Sequence, residues 1–135
     1  MIGGIGAKGV SLGSKELLKR SSALNKLLLF YRGRTFRVGA AEFRLTSDKL
    51  RHILERHHPK FWNGTVKKVQ TFMPESWTKE TIENAITHTI NSEKNLMILS
   101  NKANLMGKFQ LQGEYLGVKV TVGFNNGKIG QFFTR

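Results

Sequence analysis

The sequence predicts an α+β domain in which N-terminal helices are followed by a C-terminal antiparallel β-meander. Apolar residues recur at helical spacing in the first two-thirds of the chain, and the period changes to two from Lys108 onward. Turn signals at Leu116-Gly117 and Asn125-Asn126-Gly127 divide that last stretch into three strands. A length of 135 residues suits one main domain with a real core, and nothing in the sequence repeats.

Residues 1–13 are rich in glycine and read as a flexible leader, with Gly4-Ile5-Gly6 and Lys8-Gly9 falling short of a phosphate-loop pattern. Ser14 opens a helix whose apolar positions are Leu17, Leu18, Leu24, Leu27, Leu28 and Tyr31, and Arg32-Gly33-Arg34 ends it. Composition places the boundary of the main domain near residue 35, leaving 1–34 as a basic, partly helical leader or linker. Phe36/Val38 and Ala41/Phe43/Leu45 alternate as short strands or extended connectors do. Thr46-Ser47-Asp48 signals a helix start, and Leu50, Ile53, Leu54 and His57 form one face of a helix ending at Pro59. Thr78 caps the next helix. Its buried face is Ile82, Ala85, Ile86, Thr89 and Ile90, and Trp77 with Ile82 makes a hydrophobic staple. Phe109/Leu111, then Val118/Val120/Val122/Phe124, then Ile129 with Phe132 and Phe133 supply the strands.

The formal net charge is +13, beyond what solubility requires, and it predicts a polyanionic partner. Residues 1–69 carry 15 Lys/Arg against 4 acids, whereas residues 70–135 carry 7 against 5. The chain has no cysteine, which excludes disulfides, thiolate zinc sites and cysteine catalysis. No apolar run approaches the roughly 20 residues that span a bilayer, and the first residues lack the charged-then-apolar order of a signal peptide. A soluble chain with no membrane span is expected.

Three of the four histidines, His52, His57 and His58, lie within seven residues of the basic half. Imidazole titrates near neutral pH and lysine and arginine collect phosphate, a combination suited to acid–base chemistry on a nucleic acid backbone. At about 100° per residue His57 lies over the apolar stripe while His52 sits on nearly the opposite side. A straight helix is therefore expected to keep the two apart. Either the helix ends early and His57-His58 turn back toward His52, or only one histidine of the segment is chemical. No carboxylate completes a metal set around the His-x4-His-His spacing, so neither a metal nor another cofactor is expected.

The order His52-Ile53-Leu54, a second histidine, Phe72-Met73-Pro74-Glu75-Ser76-Trp77 before a helix, and a last strand with Gly130-Gln131-Phe132-Phe133 resembles the bacterial EndoU-like nuclease toxin domains. These occur at the C-termini of polymorphic and contact-dependent inhibition toxins, within the barnase/EndoU/colicin/RelE-type fold group. The resemblance covers residues 45–135. It implies a metal-independent endoribonuclease, acting on RNA and especially tRNA, that leaves a 2′,3′-cyclic phosphate. It further implies export as part of a larger toxin, delivery into the target-cell cytoplasm and an acidic cognate immunity protein.

By motif position His52 matches the first catalytic histidine, and His57 or His58 the second. Lys67 or Lys68 matches the lysine that steadies the phosphorane charge. Gln131 and Phe133 occupy places where the family carries a threonine and a tyrosine, and Phe133 can stack on a base but cannot hydrogen-bond. Thr134, Arg56 and Lys60 complete the substrate-binding candidates.

The competing class is a non-catalytic RNA- or DNA-binding module with structural histidines. In plainer roles His52 is an exposed helix residue, His57 a core histidine, His58 a helix-terminal residue, and Lys67-Lys68 a solvated basic turn. Trp62 and Trp77 read as core residues and His88 as a helix flank. A membrane-active amphipathic segment at residues 14–31 is a weaker third reading, since it explains only the first quarter of the chain.

Overall fold

The computed structural model describes residues 12–66 and 68–135. The readings made for residues 1–11 and for Lys67 lie outside the described residues. Four helices and five strands follow in the order α1 (Ser14–Leu28), β1 (Arg34–Val38), β2 (Ala41–Leu45), α2 (Ser47–His57), α3 (Lys79–Ile90), α4 (Glu93–Ser100), β3 (Phe109–Tyr115), β4 (Val118–Asn125) and β5 (Lys128–Thr134).

The α+β class holds, with the strands in one mixed sheet of order β1-β2-β5-β4-β3. β3, β4 and β5 pair antiparallel in succession, and β1 and β2 form an antiparallel hairpin. That hairpin docks on β5 in parallel through Arg44 and Lys128, with the Arg44 N–H donating to the Gly127 carbonyl at 3.0 Å. Phe36/Val38 and Ala41/Phe43/Leu45 are therefore sheet strands. Leu116 and Gly117 both have positive φ, as do Asn126 and Gly127, the backbone needed for tight two-residue hairpin turns. β5 gains one residue relative to β4, since Gly123 pairs with Gln131 and Phe124 with Ile129, leaving Gly130 as a bulge.

The helices cover one face of the sheet. Leu111, Val122 and Phe132 stand side by side on neighbouring strands, and α3 buries Ile82, Ala85, Ile86, Thr89 and Ile90 as its periodicity predicts. Leu24 and Leu28 of α1 belong to the same hydrophobic cluster, so the core crosses residue 35. Arg20 strengthens this attachment, donating to the Pro59 and Trp62 carbonyls at 3.1 and 3.0 Å. Helix α1 stops at Leu28, before Tyr31, whose hydroxyl instead donates to Glu83 at 2.7 Å.

Helix α4 has no counterpart in the sequence reading. Leu96, Met97, Ile98 and Leu99 form an unbroken apolar run without helical periodicity, and of them only Leu99 is buried. Asn95 anchors the helix by donating to the Thr89 and Gln112 carbonyls at 2.7 and 2.9 Å, joining α3 to β3.

Thr78 and Thr81 form a reciprocal cap at the start of α3, each side-chain oxygen accepting from the other's backbone N–H. Thr78→Ala is expected to lower stability by about 1 kcal/mol. A urea midpoint that drops while the slope stays constant is the corresponding measurement.

Candidate active site

Thr46 caps α2 by accepting from the Lys49 N–H, and Leu50, Ile53 and Leu54 turn its apolar stripe into the core. That orientation leaves His52 exposed and His57, in the last turn, half-buried. Residues 70–73 run alongside this helix end and bond carbonyls that have no partner within the helix. The Met73 N–H donates to the His57 carbonyl at 2.9 Å, and Gln70 Nε2 donates to the Arg56 carbonyl at 2.7 Å and to the Thr71 carbonyl at 3.2 Å. Thr134 Oγ1 donates to the Phe72 carbonyl at 3.1 Å, holding the same segment against the end of β5.

Where α2 meets β5, a cleft of about 90 Å³ is lined by His52, Ile53, His57, Gln131, Phe132 and Phe133. His52 and His57 both line this cleft from one straight helix, while remaining on different sides of its axis as the spacing predicts. The rings are five residues apart, about 140° around the axis, and β5 lies against the flank they bracket. Gln131 and Phe133 share one strand face, two residues apart, and the Phe133 ring lies 5.7 Å from that of His57.

His57 Nδ1 lies 2.9 Å from the Thr71 carbonyl oxygen. Because a carbonyl only accepts, Nδ1 carries the hydrogen, and Nε2 is the nitrogen left for chemistry. Thr71 O also receives the Gln70 amide, so Gln70 fixes the group that orients His57. His52 makes no side-chain hydrogen bond among the described residues.

His58 is corrected from a catalytic candidate to a structural residue. It is only 2 % exposed, its Nε2 donates to the Trp77 carbonyl at 2.7 Å, and its Nδ1 accepts the Lys60 N–H at 3.1 Å. Both ring nitrogens are thus occupied. The chain turns outward from the helix at this residue, with φ −105° and ψ 125°, and delivers the ring to the core side instead of the cleft.

All three rings have pKa values lowered from the ordinary imidazole range, chiefly by burial. For His52 the charges of Arg56 and Lys49 add to burial, with Glu55 opposing. For His57 the Thr71 carbonyl favours the protonated ring, against burial and the charges of Arg56 and His52. The Arg56 charge therefore acts on both cleft histidines. Its Nε is buried and has no hydrogen-bond partner among the described residues.

The remaining candidates fall elsewhere. Lys68 is exposed in the loop between α2 and α3 and does not line the cleft. Lys60 is exposed beside a separate cavity that His58, Phe61 and Trp77 also line. Thr134 is buried, on the strand face opposite Phe133, and its hydroxyl is committed to Phe72, so it is a structural tie instead of a substrate contact. His88 is exposed on α3, its ring 5.6 Å from Tyr115. Trp77 is buried in the core, and Trp62 is buried with Nε1 donating to the Thr65 carbonyl at 2.9 Å.

Gln70 and Lys49 were missed by the sequence reading. Gln70 directly precedes the Thr71-Phe72-Met73 stretch, and a polar residue entering an apolar element was the available signal. Lys49 stands one helical turn before His52, a spacing that puts the two on one face. Among the described residues no group of three or more His, Asp or Glu is placed to hold a metal, and no helix is long and apolar enough to cross a membrane.

Comparison of the chain with protein-family models, curated proteins and solved structures finds no match.

Proposed function

We propose that this protein is a metal-independent endoribonuclease of the barnase/EndoU/colicin/RelE type. The observation that carries the reading is the pairing of His52 and His57 in one cleft, with the Arg56 charge reaching both rings. In the proposed reaction neutral His52 takes the proton of a ribose 2′-OH. The 2′-oxygen attacks the adjacent phosphorus, the bond from phosphorus to the 5′-oxygen breaks, and a 2′,3′-cyclic phosphate forms. His57 Nε2 gives its proton to the departing 5′-oxygen. The assignment follows the surroundings: burial, aided by the charges of Arg56 and Lys49, favours the neutral ring of His52, whereas at His57 the Thr71 carbonyl opposes the lowering caused by burial and Arg56.

Arg56, which adjoins the cleft without lining it and whose charge acts on both rings, is the cation proposed here to steady the phosphorane charge in place of Lys68. Gln131 contacts the base or phosphate and Phe133 stacks on a base. The biological setting is part of the proposal: a toxin domain exported within a larger protein, cutting tRNA in the cytoplasm of a neighbouring cell. There it is countered by an acidic immunity protein. The charge of +13 supports both partners, since an oppositely charged inhibitor associates fastest with so basic a chain.

A single-stranded RNA and the same oligonucleotide carrying 2′-deoxyribose throughout separate this reading from simple nucleic acid binding. Cutting of the RNA alone is expected. Cutting of both, or binding without cutting, contradicts it.

The pH profile follows from the lowered pKa values. Activity falls at low pH as His52 gains a proton, and falls as pH rises and His57 loses one. Both groups titrate below the ordinary value of about 6.5, so the maximum of kcat/KM in the free enzyme lies below that pH. A profile rising through pH 8 contradicts the assignment.

A further inference from the structure

On the open side of the sheet, a groove of about 740 Å³ is lined by Lys49, Lys108, Lys128, Gln110, Asn126 and Gln131, together with aromatic and glycine residues. No acidic residue lines it, and none of the three lysines is in an ion pair among the described residues. The groove adjoins the histidine cleft at Gln131, which lines both. Two glycines shape it. At Gly123 a Cβ would stand 2.6 Å from Gln131 Oε1, so its absence lets the Gln131 side chain lie across β4, where it accepts from Gln110 Nε2 at 3.2 Å. At Gly130, the bulge residue, a Cβ would meet nothing within 4 Å, which leaves open space in the groove.

We infer that this groove is a subsite for the single-stranded RNA flanking the scissile phosphate, with Lys49, Lys108 and Lys128 on backbone phosphates and the Gln110, Gln131 and Asn126 amides on base edges. The assignment of RNA rests on the nuclease reading. A strand whose phosphate lies between His52 and His57 passes Gln131 on leaving the cleft. Lys49, one turn before His52 on α2, flanks the same path. The groove volume falls in the range of about 300–1,000 Å³ typical of enclosed ligand sites, room for a nucleotide and its phosphates. Carboxamides beside lysines suit base edges and phosphates together, whereas an acidic protein surface needs only the charges.

The test titrates the full chain with a labelled single-stranded RNA bearing 2′-O-methyl groups, which cannot be cut by 2′-OH attack, over a series of salt concentrations. Each phosphate contact contributes about 0.7 to the slope of log affinity against log salt for a single strand. The triple variant Lys49→Ala, Lys108→Ala, Lys128→Ala is therefore expected to lose about 2 from the slope and more than about tenfold in affinity. Gly130→Val, which builds a side chain into the groove without adding or removing charge, is expected to weaken binding while keeping most of the slope. Absence of binding by the wild type, or an unchanged slope in the triple variant, overturns the inference, including the case in which the groove serves an acidic protein instead. Groove-dependent binding by a protein that leaves ordinary RNA intact refutes the nuclease reading alone. Cutting of RNA with an unchanged triple-variant slope refutes the subsite alone.

Discussion

His57→Ala and His52→Ala are each expected to lower RNA cleavage by about 10²–10⁴-fold, the range for removing a positioned acid or base. The double variant falls little further than the worse single one, because groups that act together in one step are not additive. The two roles separate on a substrate whose 5′-bridging oxygen is replaced by sulfur. A thiolate leaves without needing a proton, so this substrate restores cutting by His57→Ala and leaves His52→Ala defective. Rescue of His52→Ala instead would exchange the roles. His58→Ala should behave differently, with a loss of stability and no comparable fall in kcat of the folded fraction, since its ring bonds Trp77 and Lys60 and not the cleft.

Phe132→Ala carries the largest stability cost expected from the cleft wall, about 3–5 kcal/mol for a fully buried ring. The ring stands opposite Val122 on β4 and 6.2 Å from Trp77, at the junction of sheet, α3 cap and cleft floor. A fall in melting temperature of roughly 10–18 °C follows for a domain of this size. Phe133→Ala, one residue along and on the opposite strand face, should cost about 1 kcal/mol or less and act mainly on substrate affinity. Thermal melts of the pair test the strand register that brings Gln131 and Phe133 to the histidines; equal destabilisation would contradict it.

The parts of this fold that were legible in the sequence are those governed by local period. The burial of Leu50, Ile53 and Leu54, the cap at Thr78 and the turn at Asn126-Gly127 all follow from neighbours a few residues away. The parallel contact between β2 and β5 was not legible, because it joins strands distant in the chain and leaves no local pattern. Helix α4 was hidden by a continuous apolar run that lacks a buried stripe. The site was half legible for the same reason. Residue types and the position of His52 on α2 pointed to acid–base chemistry, while the choice between His57 and His58 depended on two carbonyls, Thr71 and Trp77, that only folding brings near. The groove is the least visible feature. Lys108 and Lys128 come from the half of the chain whose net charge is only +2, and the fold gathers them beside Lys49 from the basic half.

Two histidines are proposed to cut RNA with the ribose 2′-OH as nucleophile and no metal. Mass spectrometry of the RNA fragments formed in excess EDTA tests this most directly. Fragments ending in a 2′,3′-cyclic phosphate are expected, with a new 5′-OH on the other product, and they should disappear in His52→Ala and His57→Ala. Fragments with a 5′-phosphate and a free 3′-OH, or RNA left intact by the folded wild-type protein, would contradict it.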